Sequence, residues 1–168
     1  MGSPRRLIRG ILTFLHGLRL AVRRAGGAAG GGVHAVPVTD AGKVVLVLLT
    51  YAPGWRLPGG GLKRGEGAEK AMLRELREEI GLLSHGGIER LDALGADALP
   101  PGERSALFVV RDVVYRPRRT FEVESVREFD PEALPADTAR WTASILSRWA
   151  GLRIPAPTAG GRGSPRGR

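Results

Sequence analysis

The chain contains no cysteine. Disulfides and thiolate metal sites are therefore excluded, and a reducing compartment is the expected setting, with the cytoplasm as the expected location. Lysine is scarce: Lys43, Lys63 and Lys70 are the three lysines among 26 basic residues, so the positive charge is almost all arginine. Residues 1–39 hold no acid at all. Every apolar run is interrupted by charge well short of the ~20 residues that a membrane-spanning helix needs. No internal repeat is visible.

What remains is 168 residues with 42% hydrophobic composition, enough for one domain with a real core plus some tail. A formal net charge of +9 and a pI near 11.2 point towards anionic partners: nucleotides, nucleic acid or an anionic membrane. The plain alternative is that arginine, glycine and alanine track a GC-rich genome.

The acid-free start contains RRLIRGILTFLHGLRLAVRR, whose apolar residues fall on one half of a wheel at roughly 100° per residue. An amphipathic helix is expected over residues 1–24. Arg9, His16 and Arg19 cut through what a secretory signal would keep apolar. Three readings stay open: packing on the domain or in a homodimer, contact of residues 5–24 with an anionic membrane surface, or an organelle targeting segment. Residues 25–32, AGGAAGGG, read as a linker, residues 33–151 as the main domain, and residues 152–168 as a disordered basic tail. Within the domain, VHAVPVT and KVVLVLLTY read as strands joined by a turn at DAGK. PGWRLPGGGLKRGEG reads as loop, and AEKAMLRELREEI as a helix stopped by Gly81. ALFVVRDVVY and TFEVESVREF read as two further strands. Asp137 is expected to cap a last helix with an apolar stripe of Trp141, Ile145 and Trp149, ending at Gly151. Strands flanked by helices, with at least one hairpin, imply an α/β domain with a mixed sheet.

The helix after Gly67 poses the chemical question. Ala68, Met72, Leu76 and Ile80 recur at i+4 as a core stripe. Glu75, Glu78 and Glu79 stand at i, i+3 and i+4, and their arc overlaps the edge of that stripe. Burying an ionised carboxylate costs several kcal/mol unless it is paired or binds a metal. Arg74 and Arg77 can pair some of these acids but not all. Clustered carboxylates with oxygen-only chemistry suit a hard divalent cation, Mg²⁺ or Mn²⁺. The preceding glycines, Gly59, Gly60 and Gly61, permit close backbone approach, and the helix start favours anions, so a phosphate can sit beside the acids. Trp55 and Arg56 come just before: the indole could stack on a base and the guanidinium contact phosphate, or Trp55 could be a loop anchor packed on the core. His34 reads as structural, and His16 and His85 carry no signal.

Gly60, five residues, Glu66, seven residues, then Arg74-Glu75-Leu76-Arg77-Glu78-Glu79-Ile80-Gly81-Leu82: this pattern resembles the Nudix box at every specified position. With the flanking layout, the resemblance covers about residues 33–150. It implies a Nudix-type α/β/α sandwich with a mixed β-sheet. It implies hydrolysis of a diphosphate linkage in a nucleoside diphosphate derivative, with water attacking phosphorus and a divalent metal required. Carried over by position, Glu75, Glu78 and Glu79 would be the metal-binding and base carboxylates, with the Gly60 carbonyl a further ligand. Glu66 and Arg74 would brace the loop against the helix. A later acid could join as base or ligand, with Glu103, Glu122 and Glu124 as candidates.

Substrate is less legible. Pro100 and Pro101 fall a few positions later than the proline of ADP-ribose types, which leans the expectation towards ADP-ribose or nucleotide sugars. An RNA 5′-end pyrophosphohydrolase is the alternative, motivated by the net charge. Against it, no aromatic-interleaved basic strand offers a single-strand stacking platform. A non-catalytic nucleotide-sensing module is the third reading, and the complete carboxylate set argues against it.

Overall fold

The computed structural model describes residues 31–91, 104–117 and 120–152. The expected amphipathic helix over residues 1–24 and the basic tail from residue 153 lie outside the described residues, as do Glu103, Pro100 and Pro101.

Strand β1 (Gly31–Pro37) begins two residues inside the stretch expected to be linker. Strand β2 (Val44–Leu49) follows after a tight turn in which Gly42 takes φ 76° and the Thr39 N–H donates to the Lys43 carbonyl. Strand β3 (Trp55–Arg56) and strand β4 (Gly59–Gly61) lie in the segment expected to be loop. Helix α1 (Ala68–Glu79) comes next, then the short strands β5 (Leu82–Ser84) and β6 (Ile88–Arg90), which the sequence reading did not contain. Strands β7 (Arg104–Val110), β8 (Val114–Tyr115) and β9 (Val123–Phe129) lead to the last helix, α2 (Arg140–Leu152).

Four strands form a mixed sheet in the order β4-β1-β7-β6. In it β1 runs parallel to β7 and antiparallel to β4. A second, antiparallel sheet has the order β3-β2-β9, and β5 pairs with β8 as a ribbon. Alternation along the strands sorts their side chains onto two cores. Val33 and Ala35 of β1, Val45, Val47 and Leu49 of β2, and Phe108 and Val110 of β7 pack with Ala71, Met72, Leu76 and Ile80 from α1 and the residue after it. Val36, Val44, Leu46, Leu107 and Val109 pack instead with Ile145, Leu146 and Trp149 of α2. Helices thus cover both faces of the strands, which is the expected α/β/α arrangement with a mixed sheet. It explains why VVLVLL in β2 is apolar without interruption: both of its faces are buried.

Three local expectations need correction. The run Ala106–Tyr115 is not one strand. It breaks between β7 and β8, where Asp112 takes φ 52°, a conformation that Asp tolerates better than most residues. Asp137 does not cap α2, because the helix starts three residues later, at Arg140; the Asp137 carbonyl instead accepts the Trp55 N–H at 3.2 Å. The last helix runs one residue past Gly151, to Leu152. The stop at Gly81 is present. Gly81 has φ 72°, a Cβ there would run into the Arg116 carbonyl, and the Arg116 N–H donates to the Gly81 carbonyl at 3.0 Å. That contact turns the chain from α1 directly into β5.

Candidate active site

Helix α1 carries the acids, and β4 meets it edge-on. Along α1 the buried residues are Ala71, Met72, Glu75, Leu76 and Glu79. Two carboxylates therefore share the buried face with the apolar stripe. Glu75 is 6% exposed and Glu79 7%. Glu78, on the adjoining turn, leaves its side chain 52% exposed.

Each buried acid has a local partner. Glu79 Oε2 accepts the Gly59 N–H at 2.9 Å. Glu75 Oε1 accepts from Arg74 Nη1 at 2.7 Å, and the same nitrogen stands 3.6 Å from Glu78. The Glu75 carboxylate lies against the Cα of Gly60, where any Cβ would collide with it. Gly59 is equally constrained, since a Cβ there would meet the Val33 carbonyl. Gly59 and Gly60 thus pair with β1 as bare backbone, because a Cβ would run into β1 at the first and into the Glu75 carboxylate at the second.

Arg74 organises the loop. Its Nε and Nη2 bond the two oxygens of Glu66 at 2.9 and 3.0 Å, and Nη2 also donates to the Gly61 carbonyl at 3.0 Å. Glu66 in turn accepts the Lys63 N–H at 2.9 Å. This fork ties the Lys63–Glu66 turn, β4 and α1 into one unit. The Arg74 hydrogen bonds are the main reason that the Glu66 carboxyl is held down to about 2. A carboxylate with a depressed folded value stabilises the fold above its unfolded value and loses that contribution as the pH falls. The Glu66 contribution should therefore be whole above about pH 4.5 and vanish as the pH drops to about 2. Melting curves of the wild type and Glu66→Gln should differ at neutral pH and converge across that window. A gap unchanged at pH 2 would show that the pair does not act this way.

Electrostatics around Glu79 run in the opposite direction. Burial pushes its carboxyl up to about 8. The Gly59 N–H opposes the shift, and the neighbouring Glu75, Glu122 and Glu78 add to it. Of the three later acids, Glu122 acts electrostatically on Glu79, whereas Glu124 is exposed on β9. Tyr51, two residues past the end of β2, was not singled out from the sequence. Burial first, then Glu79 and Glu122, hold its hydroxyl far above its ordinary value, so it stays a proton donor beside the acids. Its signal was faint: one polar-tipped aromatic closing an apolar strand. Arg56 faces the same group. Its Nη2 donates to the Pro53 carbonyl at 2.8 Å, and its Nε is buried without a hydrogen-bond partner. Burial lowers its pKa, while Tyr51 and Glu79 oppose that.

Trp55 stands apart from this group. It is 7% exposed, packs edge-on to Phe129 at 4.9 Å and lies under Arg127. The indole is a core anchor for β3, and its faces are not open to a base.

The donor set suits a hard divalent cation in its chemistry: oxygen donors only, two of the carboxylates buried, with the neighbouring acids raising the Glu79 pKa. The convergence is incomplete. Among the described residues no three His, Cys, Asp or Glu side chains stand together as a metal-holding group. Arg74 Nη1 instead lies between Glu75 and Glu78, where a cation would compete with it. A cation held by Glu79 would need its charged form, so its binding would expel that proton. With a value of about 8, proton release should be larger at pH 7 than at pH 9. Apparent affinity for Mn²⁺ should accordingly rise up to about pH 8 and then level off. Calorimetry of Mn²⁺ binding in buffers of different ionisation enthalpy checks this, and equal release at both pH values would contradict it.

Comparison with known proteins places this geometry. The family model for the NUDIX domain matches residues 29–150. A 39-residue stretch is 51% identical to an RNA pyrophosphohydrolase of Sphingopyxis alaskensis, covering 23% of this chain and 23% of that protein. The fold is similar to the crystal structure of a MutT NUDIX hydrolase from Burkholderia pseudomallei, with 27% identity and TM-score 0.55 over 69% of this chain and 94% of that one. It is also similar to a nudix hydrolase family member from Chromobacterium violaceum, with 26% identity and TM-score 0.58 over 77% and 82% of the two chains. An ADP-ribose pyrophosphatase from Streptococcus suis shares the fold at 16% identity and TM-score 0.52, over 74% of this chain and 92% of that one.

Proposed function

The chain belongs to the Nudix hydrolase family, and from that premise we propose that it hydrolyses the diphosphate linkage of a nucleoside diphosphate derivative of the ADP-ribose or nucleotide-sugar kind. The observation that carries this reading is the buried pair Glu75 and Glu79 pressed against the Gly59–Gly60 backbone, with Glu78 and Glu122 beside them.

In this reading Glu75, Glu78 and Glu79 would hold Mg²⁺ or Mn²⁺, with the Gly60 carbonyl as a further ligand. When bound, the cation would neutralise charge on the diphosphate and lower the pKa of water. The chain's own residues do the rest. Glu66 and Arg74 brace β4 against α1, so that the glycine backbone and the carboxylates keep a fixed distance. The missing side chain at Gly61 would let phosphate approach the backbone of β4. The Arg56 guanidinium, which faces Tyr51 and Glu79, would offer a cationic donor to a phosphate oxygen. The Tyr51 hydroxyl, kept protonated, offers a second donor. A carboxylate of the Glu75–Glu78 turn would take the proton of the attacking water as its oxygen bonds to phosphorus, while the bond from that phosphorus to the bridging oxygen breaks and the other phosphoryl group leaves on that oxygen.

The test is nucleotide or phosphate release across ADP-ribose, nucleotide sugars, NADH, coenzyme A, dinucleoside polyphosphates, nucleoside triphosphates and 5′-triphosphate RNA, with Mg²⁺ or Mn²⁺ present. One nucleoside diphosphate derivative should be turned over far faster than the rest. No turnover of any of them by the folded protein would remove the reading.

The match to the RNA pyrophosphohydrolase supports a second reading, action on RNA 5′ ends. The excess of arginine would then contribute phosphate contacts, and RNA binding should weaken steeply with salt. Absence of RNA binding at low salt would end that reading.

A further inference from the structure

Among the described residues the buried polar or charged side chains are Thr39, Glu75, Glu79 and Thr142. Glu75 and Glu79 belong to the candidate site, and Thr39 closes the turn before β2 by bonding to Lys43. Thr142 has neither role. It sits in the first turn of α2 and is 0% exposed. Elsewhere along α2 the buried residues, Ile145, Leu146 and Trp149, are apolar. A hydroxyl in such surroundings costs free energy unless it is hydrogen-bonded. Thr142 Oγ1 accepts the Leu57 N–H at 3.3 Å, from a residue 85 positions away.

That N–H belongs to the segment that leads into the glycines. The Leu57 side chain packs with the α2 core. Pro58 follows and has no N–H to give, while its carbonyl accepts the Ala35 N–H of β1 at 3.0 Å. The next N–H along the chain is that of Gly59, and it donates to Glu79 Oε2 at 2.9 Å. Two successive backbone donors are thus taken by the two helices, the first by Thr142 of α2 and the second by Glu79 of α1. The same segment is tied to the approach to α2 further upstream. There the Trp55 N–H donates to the Asp137 carbonyl at 3.2 Å, and the Ala139 N–H to the Trp55 carbonyl at 2.9 Å. The backbone that presents Gly59 to Glu79 is therefore held from the far face of the strands by residues 137–142, and Thr142 supplies a side-chain part of that hold.

We propose that Thr142 is a positioning residue for the candidate site: its hydroxyl fixes the Leu57–Gly59 backbone so that the Gly59 N–H keeps the Glu79 carboxylate in place for a cation. The inference rests on the proposed hydrolase reading, in which Glu79 is a cation ligand. Removing a group that orients a metal ligand without touching the metal typically weakens affinity or activity by roughly 10- to 100-fold. The Gly59 N–H is such a group for Glu79, and Thr142 acts one step behind it, so the low end of that range is expected.

The test is Mn²⁺ binding by calorimetry together with amide hydrogen exchange on the ¹⁵N-labelled full chain, for the wild type, Thr142→Val and Thr142→Ser. Valine keeps the branched shape and removes the acceptor, whereas serine keeps the acceptor. Thr142→Val should weaken Mn²⁺ binding by roughly tenfold and speed exchange of the Gly59 amide by about as much. The Val38 amide, bonded to the Val110 carbonyl at 2.8 Å, should stay at its wild-type rate. Thr142→Ser should match the wild type in both readouts. Mn²⁺ affinity or Gly59 exchange left unchanged by Thr142→Val would overturn the inference. So would equal acceleration at Gly59 and Val38, which a general loosening of the core produces. Weakened Mn²⁺ binding in Thr142→Ser would overturn it too, and that result is readable even where Thr142→Val fails to fold. A wild type that binds no Mn²⁺ would overturn it as well. The hydrolase reading stands or falls separately, on turnover across the substrate panel.

Discussion

Glu78→Gln should lower kcat by roughly 10²- to 10⁴-fold while leaving the melting temperature almost unchanged. The asymmetry follows from where Glu78 sits. Its side chain is 52% exposed, and its contact to Arg74 is a 3.6 Å ion pair across one turn of α1. An exposed pair of that kind contributes little to stability. The amide keeps the size and rotamers of the acid but can neither take a proton from water nor neutralise a divalent cation. Activity and stability should therefore separate in this variant, which identifies a residue selected for chemistry. Steady-state kinetics on the best substrate, paired with a thermal melt, reads both. Unchanged kcat would remove Glu78 from the site, and a collapse of the melting temperature would mean that Glu78 is structural.

Gly60→Ala should reduce kcat by roughly 100-fold with a smaller loss of stability, about 1–3 kcal/mol. A methyl group at this Cα would occupy the place of the Glu75 carboxylate. Glu75 is the far end of a flexible side chain, so it can swing aside and the fold can survive. It then gives up both its position beside Glu79 and its 2.7 Å contact with Arg74. Gly59→Ala makes a useful contrast. There the added atom meets the Val33 carbonyl, which is backbone of β1 and cannot move alone. That variant should lose stability first, and with it the strand pairing Val33↔Gly60 and His34↔Gly59. Kinetics and denaturant melts of the two variants check the difference. Equal stability losses in both would contradict it.

The parts of this fold that could be read from the sequence are those governed by local periodicity. The i+4 stripe of Met72, Leu76 and Ile80 identified α1, the VHAVPVT segment β1 and a continuous apolar run β2. The spacing from Gly60 through Glu79 identified the acids. The parts that could not be read depend on contacts distant in sequence. Gly59–Gly61 looks like loop because glycine disfavours strands in isolation. It becomes β4 because β1 lies on one side and Glu75 and Glu79 on the other. Trp55 carries no local sign that Phe129, 74 positions later, will cover its ring. The break at Asp112 needs a left-handed residue that the run Ala106–Tyr115 does not advertise. The backbone of Phe121 and Glu122 is held by Thr50, more than 70 positions away. The chemistry was written in one contiguous motif, while the rim that surrounds it is assembled by the sheet.

The most direct test of the account is turnover of the best substrate in ¹⁸O-labelled water, with Mg²⁺ and then with the metal chelated. The account predicts that the label appears in one phosphoryl product and that chelation abolishes turnover. Turnover that persists without divalent metal, or label recovered only on carbon, would contradict the view that Glu75, Glu78 and Glu79 are gathered on α1 to hold a cation against a diphosphate.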